Sequence, residues 1–379
     1  MRIGIDCRTI LNPKGGERAG VGYYTYFLVK SLLATSKQND FVLFFDSRFH
    51  KTKEFEQPNV KIRHFPFSQY KRFLPFSYSH MLISAILDRE KLDIYHSPAN
   101  VLPYLYRRPS VVTVHDLAIY QHPEWFPKRQ KFSTSVLVPR SLQRARRIIA
   151  VSEATKNDII RTFKVEPKKI SVIYEGVNKE KSQLTAEGVA YKYDIKLPYV
   201  LYVGTIEPRK NIDRLVKAYR SVVTKHPSLA KYQLVLAGHR GWKSTEVFQL
   251  LSDPAWHERI KYLNYIPHDD KISLIAGAAV FVFPSLYEGF GLPVLEAMAL
   301  GVPVITSNTS SLPEVAGTAA LPVNPRSDRA IADGLVKLLK SNLLREQLSR
   351  AGLEQTKKFG WLKCARETLR VYQDAVKAK

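Results

Sequence analysis

Cysteine is nearly missing: Cys7 and Cys364 are the only two in 379 residues. That scarcity excludes a disulfide scaffold, fits a reducing cytosol and sets aside metal ligation by cysteine. Long hydrophobic runs are missing as well. No apolar stretch approaches the roughly 18 to 20 residues needed to span a bilayer. The opening "MRIGIDCRTI" enters a strand-like pattern with no signal-peptide core, so the expected location is the cytoplasm. Short repeats and low-complexity tails are absent too. Acid is in short supply: 58 Lys+Arg face 34 Asp+Glu, a net charge of +24. Residues 1–176 hold 29 Lys+Arg and 15 Asp+Glu, so an excess of 14 positive charges sits in the first half. Such a field attracts nucleic acid, anionic membrane or phosphorylated substrates, and charge alone does not choose among them.

What is present is an alternation of buried-strand runs and amphipathic helical stretches, the pattern of parallel α/β sheets. Strand candidates in the first half are "RIGID", "FVLFF", "VKIRHF", "IYHSP", "SVVTVHD", "RIIAVS" and "ISVIYEG". A polar stretch, residues 178–197, reads as a linker. A second series then runs through "YVLYVGTI", "QLVLAG", "IKYLNYI", "AVFVFPS" and "PVITS". The length also favours two domains. The expected division is 1–177, linker 178–197, and 198–360, with a last helix over 361–379 returning to the first domain. In open parallel sheets ligands bind at the carboxyl ends of strands. Nearly every unusual residue of this chain falls at such a place.

The stretch "PSLYEGFGLPVLEAMALGVPVITS", residues 284–307, sets Glu288 in a strand-to-helix loop and Glu296 in the helix that follows. The glycines of "GFG" let backbone N–H groups approach an anion. A carboxylate at Glu296 accepts two hydrogen bonds from a vicinal diol such as a ribose. Upstream, "YVGTIEPRKNIDRLVKAY" ends a strand in Gly204 and carries Arg209 and Lys210 toward a helix N-terminus. Adjacent cations beside free backbone donors make a diphosphate clamp. The bland readings are a solvated loop acid, a favourable helix charge and a basic loop on a basic protein.

Taken together, "E-G-F-G-L-P-x-x-E-A-M-A-x-G-x-P-V" and "EPRKN" resemble the signature of retaining, nucleotide-sugar-dependent glycosyltransferases of the GT-B fold, the family-four group. The resemblance implies two Rossmann-like lobes facing across a cleft. Glu288 then faces the donor sugar and its phosphates, Glu296 holds the ribose hydroxyls, and Arg209 and Lys210 hold the diphosphate. Many members carry arginine straight after the first glycine, where this chain has Thr205. Gly204, Gly238, Gly289, Phe290, Gly291 and Leu292 are implied to line the donor, with main chain near Ile266 meeting the base. Asp269-Asp270 reads as a helix cap, and no metal is called for.

In the first half, the loop opening at residue 15, "GGERAGVGYYTYF", lacks the dinucleotide spacing G-x-G-x-x-G. The resemblance places Gly20 and Gly22 against the donor phosphate and the acceptor. It also places His115, at a strand end beside Asp116, in the active cleft. His96, Asn100 and Asp116 are expected on the acceptor side, and Ser152 is expected to cap a helix. Basic-aromatic stretches at 65–91 and 127–147 suit an anionic leaflet, or are core aromatics beneath a solvated face.

The expected reaction moves a hexose from a GDP- or UDP-linked donor to a glycan or lipid-linked saccharide. Mannose from GDP-mannose is the leading guess, because "GTIEPRKN" with "SSLPEVAG" is similar to polysaccharide and O-antigen mannosyltransferases. The nucleotide sugar is a co-substrate, and no separate cofactor is implied. Two rivals stay open: a sugar-nucleotide epimerase of the same fold, and a basic nucleic-acid-binding protein. A glycan phosphorylase is disfavoured because no pyridoxal-binding lysine context is recognisable. A nucleic-acid partner is not expected.

Overall fold

The computed structural model describes residues 1–10, 20–65, 76–178 and 184–378, side chains of 76–81 and 128–134 apart. The chain divides into two units. One comprises Met1–Gln121, Lys128–Gly176 and Gly360–Lys379, the other His122–Pro127 and Val177–Phe359.

The first unit is built on a seven-stranded parallel sheet in the order β3-β2-β1-β4-β5-β6-β7. Its strands are β1 (Arg2–Asp6), β2 (Asp40–Asp46), β3 (Val60–Phe65), β4 (Ile94–Ser97), β5 (Ser110–Val114), β6 (Arg147–Ala150) and β7 (Ile170–Val172). Runs such as "SVVTV" are buried along their whole length because helices cover both faces of a parallel sheet. Helix Glu153–Phe163 begins at Ser152, whose hydroxyl accepts the Thr155 N–H at 3.0 Å, the expected cap.

Helix Trp361–Lys377 also belongs to this unit. Its buried residues, Trp361, Cys364, Ala365, Thr368, Val371, Tyr372 and Ala375, recur at the three-to-four spacing of one helical stripe. Trp361 stacks on Phe27 of helix Val21–Thr35 at 5.5 Å between ring centroids. Its backbone and ring fill the place where a Cβ on Gly176 would stand.

The second unit carries six parallel strands in the order β10-β9-β8-β11-β12-β13. These are β8 (Tyr199–Val203), β9 (Gln233–Ala237), β10 (Ile260–Leu263), β11 (Val280–Phe283), β12 (Val304–Ser307) and β13 (Leu321–Val323). The sequence reading omitted β13, a three-residue edge strand with a central proline. In this sheet the order reverses between β8 and β11, which pair directly through Val280↔Val200 and Phe281↔Leu201. Loops leaving those two strands therefore diverge to opposite faces and open a crevice between them.

The linker reading is corrected in part. Residues Ala186–Tyr193 form a helix capped by Thr185, which accepts the Gly188 N–H at 3.1 Å. Lys192 Nζ and Tyr193 Oη both reach Asp270 of helix His268–Ala276, the lysine at 2.7 Å. An ion pair and a packed helix make this stretch part of the second unit rather than a free tether.

Segment His122–Pro127 is contributed to the second unit by the first half of the sequence. Trp242 Nε1 donates to the Trp125 carbonyl at 2.7 Å, and Lys243 Nζ reaches the Glu124 carbonyl. His122 stacks on Trp125 at 3.9 Å between ring centroids.

Candidate active site

The chemistry-bearing side chains of the second unit gather at its strand-order reversal. After β8 the chain makes a short 3-10 turn, Pro208–Lys210, that ends at Asn211 with φ 62°. Asparagine tolerates that left-handed conformation better than most residues. The Asn211 side chain then donates to the carbonyls of Pro284 and Pro325, at 3.0 and 2.7 Å. Leu286 N–H donates to the Arg209 carbonyl at 2.7 Å. These bonds stitch the loop after β8 to the loop after β11, and so fix Arg209 and Lys210 against Glu288.

Lys210 Nζ lies 2.5 Å from Glu288 Oε1, and Arg209 Nη1 lies 3.1 Å from Oε2. Arg209 Nε also donates to Glu207 at 2.5 Å. The Lys210 ammonium stands 4.9 Å from the centre of the Phe283 ring, a cation–π distance. Glu288 and Lys210 are 7% and 8% exposed, so both charges have left bulk water. Burial works against the Glu288 carboxylate, but the Lys210 and Arg209 charges outweigh it and hold the group below the ordinary carboxylate range. Burial likewise weakens the hold of Lys210 on its proton, and Glu288 offsets only part of that.

The backbone around Glu288 is equally constrained. Ser310 Oγ accepts the Glu288 N–H at 3.0 Å, and Ser311 Oγ lies 3.0 and 2.7 Å from the carbonyls of Glu288 and Phe290. Gly289, Phe290 and Gly291 are buried in this loop. Gly291 takes φ 121°, and a Cβ there would stand 2.8 Å from Leu312 Cδ2. At the ends of β8 and β9, a Cβ on Gly238 would meet the Gly204 carbonyl oxygen at 2.1 Å. Glycine is therefore required at 238 for the two strand ends to meet.

Glu296 sits in helix Leu292–Ala299 and pairs with Lys271 at 2.7 Å, not with the Arg209–Lys210 pair. Ile266 is buried in the loop after β10. The cap reading of Asp269-Asp270 is corrected: Pro267 holds the cap position, and both acids lie in the helix's first turn. Among the described residues no group of three or more His, Cys, Asp or Glu side chains could hold a metal ion.

In the first unit the expected site residues make the following contacts. His96 is fully buried, with Nδ1 2.6 Å from Tyr372 Oη and Nε2 2.8 Å from Thr113 Oγ1. Burial first, and the neighbouring His115 second, push its pKa down to about 3. This corrects the acceptor-wall reading: His96 is a neutral core residue that ties down the last helix. Asn100 accepts the His115 N–H at 3.0 Å, and Asp116 accepts the Ala118 N–H at 3.1 Å. His115 places Nε2 2.8 Å from the Pro98 carbonyl and Nδ1 3.1 Å from Glu175. Both ring nitrogens are thus committed within the protein. Gly20 caps helix Val21–Thr35 at φ 56°, and Gly22 is buried in its first turn. The loop before Gly20, residues 11–19, lies outside the described residues.

Glu207, Asn211, Lys271, Ser310 and Ser311 were not singled out from sequence. The asparagine after "PRK" and the Ser-Ser pair behind β12 were visible, but such residues are common in loops.

A parallel sheet whose reversal point carries paired cations against a buried carboxylate has its charged groups where doubly wound sheets bind ligands. Comparison with known proteins makes this particular. Residues 18–181 match the family described as Glycosyltransferase Family 4, and residues 191–355 match Glycosyl transferases group 1. The chain is 34% identical to O-antigen chain mannosyltransferase B of Escherichia coli, over 93% of this chain and 96% of that one. It is 28% identical to O-antigen chain mannosyltransferase RfbU of Salmonella typhimurium, over 85% and 88%. Sucrose-phosphate synthase of Thermosynechococcus elongatus superposes with TM-score 0.78 at 20% identity over all of both chains. WaaG, a glycosyltransferase involved in lipopolysaccharide biosynthesis, superposes with TM-score 0.72 at 13% identity over all of both chains. The chain belongs to the family-four glycosyltransferases and has the GT-B fold.

Proposed function

We propose that this enzyme transfers mannose from GDP-mannose, with retention of anomeric configuration, to a glycan or lipid-linked saccharide in O-antigen synthesis. The names of the relatives at 34% and 28% identity support the sugar and the pathway class. The observation that carries the chemistry is the buried contact of Glu288 with Lys210 and Arg209.

In this reading the nucleotide diphosphate competes with Glu288 for the two cations. Glu288, released, turns to the donor's sugar hydroxyls. Leaving-group charge builds on the diphosphate, where Arg209, Lys210 and backbone N–H groups stabilise it in a low-dielectric setting. The departing phosphate takes the acceptor proton during front-face attack, so no covalent nucleophile is assigned. Glu296 holds the ribose, with Lys271 keeping its carboxylate oriented until then. The enzyme works at the inner membrane face with peripheral contact to anionic lipid. No helix among the described residues is long and apolar enough to cross a membrane.

The test is thermal protection by GDP, UDP, GDP-mannose and UDP-sugars, followed by product analysis with a lipid-linked acceptor. Protection by GDP-mannose and an α-linked mannosyl product support the assignment. Protection by UDP-sugars alone would reject the donor but keep the transferase. An epimerised free donor would favour the epimerase rival.

A further inference from the structure

The positive charge of the first unit is not used by the donor site, which lies in the second. Part of it is organised on one surface. Between β4 and β5 the chain folds onto the C-terminal half of helix Lys128–Arg144, with Leu102 N–H donating to Ser141 Oγ at 2.9 Å. Leu102, Tyr106, Val138 and Leu142 form the buried side of this contact. On the outer side, Val136, Arg140 and Arg144 recur every four residues and share one helix face. Arg140 stacks its guanidinium 3.9 Å from the centre of the Tyr104 ring and donates to the Tyr104 hydroxyl at 2.5 Å. Arg144 donates to the carbonyls of Pro103 and Tyr104, the first at 3.4 Å.

Two features set this surface apart from an ordinary solvated face. Apolar side chains are interleaved with the cations: Tyr104, Leu105 and Val136 are 36%, 41% and 51% exposed. The second feature is the pairing of the cations. Among the described residues none of Arg107, Arg140 and Arg144 is ion-paired, while Arg108 at the rim meets Asp88 at 3.4 Å. Arg144 holds its proton less tightly than a usual guanidinium, through partial burial and then through Arg140 and Arg107. Lys169, bound to the carbonyls of Leu142 and Gln143 at 2.9 and 2.7 Å, extends the positive row past the helix end.

We propose that Tyr104, Leu105, Val136, Arg107, Arg140 and Arg144 form a docking surface that seats this unit on an anionic lipid bilayer. A soluble polyanion would satisfy the arginines but gain nothing from Leu105 and Val136. A bilayer interface satisfies both, taking apolar groups at the acyl boundary and guanidiniums among the phosphates. Tyr104 suits the depth between them, with an apolar ring and a polar tip. The surface locates the lipid contact of the proposed function, and its test needs no sugar transfer.

The full chain is sedimented with vesicles of mixed phosphatidylglycerol and phosphatidylcholine, and with phosphatidylcholine alone. Binding is expected only to the mixed vesicles, weakening as salt rises. The double change Arg140→Glu with Arg144→Glu lowers partitioning about tenfold or more. Arg107→Glu, which breaks no hydrogen bond of the loop, lowers it less, and Leu105→Ser with Val136→Ser weakens the salt-resistant part. Melting temperatures verify that each variant folds, and transfer to a detergent-soluble acceptor stays at the wild-type rate. Equal binding to neutral vesicles, or wild-type binding by the charge-reversed variants, overturns the proposal. So does retention on duplex DNA with no vesicle binding. Failure of sugar transfer with intact vesicle binding would instead count against the proposed reaction.

Discussion

Lys210 Nζ and Glu288 Oε1 stand 2.5 Å apart at the reversal point of the second sheet, both groups buried and joined by Arg209. A buried pair is a poor source of net stability, but removing one partner strands the other and costs about 3–5 kcal/mol. Glu288→Ala should therefore lower the Tm of the free enzyme. GDP or pyrophosphate should restore more of it than either adds to the wild type, because the anion replaces the lost carboxylate. Scanning calorimetry with and without ligand checks this. Equal ligand shifts in both proteins would contradict the exchange.

The two acids should separate kinetically. Glu288→Ala is expected to lower kcat about 10²–10³-fold, as for loss of a group acting on transition-state charge. Glu296→Ala is expected mainly to raise the donor KM, with kcat within about threefold. Initial rates at varied donor distinguish the outcomes, and wild-type rates for both at limiting donor would remove these acids from the site.

Gly238 should not tolerate a side chain. Its Cβ would stand 2.1 Å from the Gly204 carbonyl oxygen, and its φ of 141° is strained for an L residue. Gly238→Ala is expected to cost about 1–3 kcal/mol and to weaken nucleotide binding. Urea denaturation and GDP titration measure the two effects.

Acid should unlock the opposite end of the first sheet. Glu90, 7% exposed, takes Arg2 and Lys61 at 2.8 Å and Arg63 at 2.6 Å. Burial opposes its charge, but these bonds outweigh burial and bring its pKa from 4.5 down to about 2. Its folded pKa lies below the unfolded one, so its contribution is present above about pH 4.5. That contribution is lost as pH falls through about 2. Stability of Glu90→Gln, measured from pH 7 to pH 3, should fall less steeply than that of the wild type.

Much of the frame was legible because its strands are short apolar runs, buried on both faces and flanked by glycine or polar turns. "YVLYV", with all five residues buried, is one example. The edge strand Leu321–Val323 was not, since three residues with a proline give no period to read. Glu288 was legible because an acid beside "GFG" is a costly choice for a core. Ser310 and Ser311 were not, because their roles depend on a loop 22 residues away in sequence. His96 was misread for a different reason. A strand-end position says where a residue sits along the sheet, not which face it points to. Its partner Tyr372 lies 276 residues on.

The short segment His122–Pro127 has a practical bearing on dissecting the enzyme. The Trp125 carbonyl that receives the Trp242 indole hydrogen, and the Glu124 carbonyl reached by Lys243, are encoded more than a hundred residues upstream of their partners. A fragment started at Val177 would leave that indole exposed and donating to water. The carboxy-terminal lobe is thus not a contiguous gene segment, and a recombinant version needs the six-residue piece supplied in trans or grafted back.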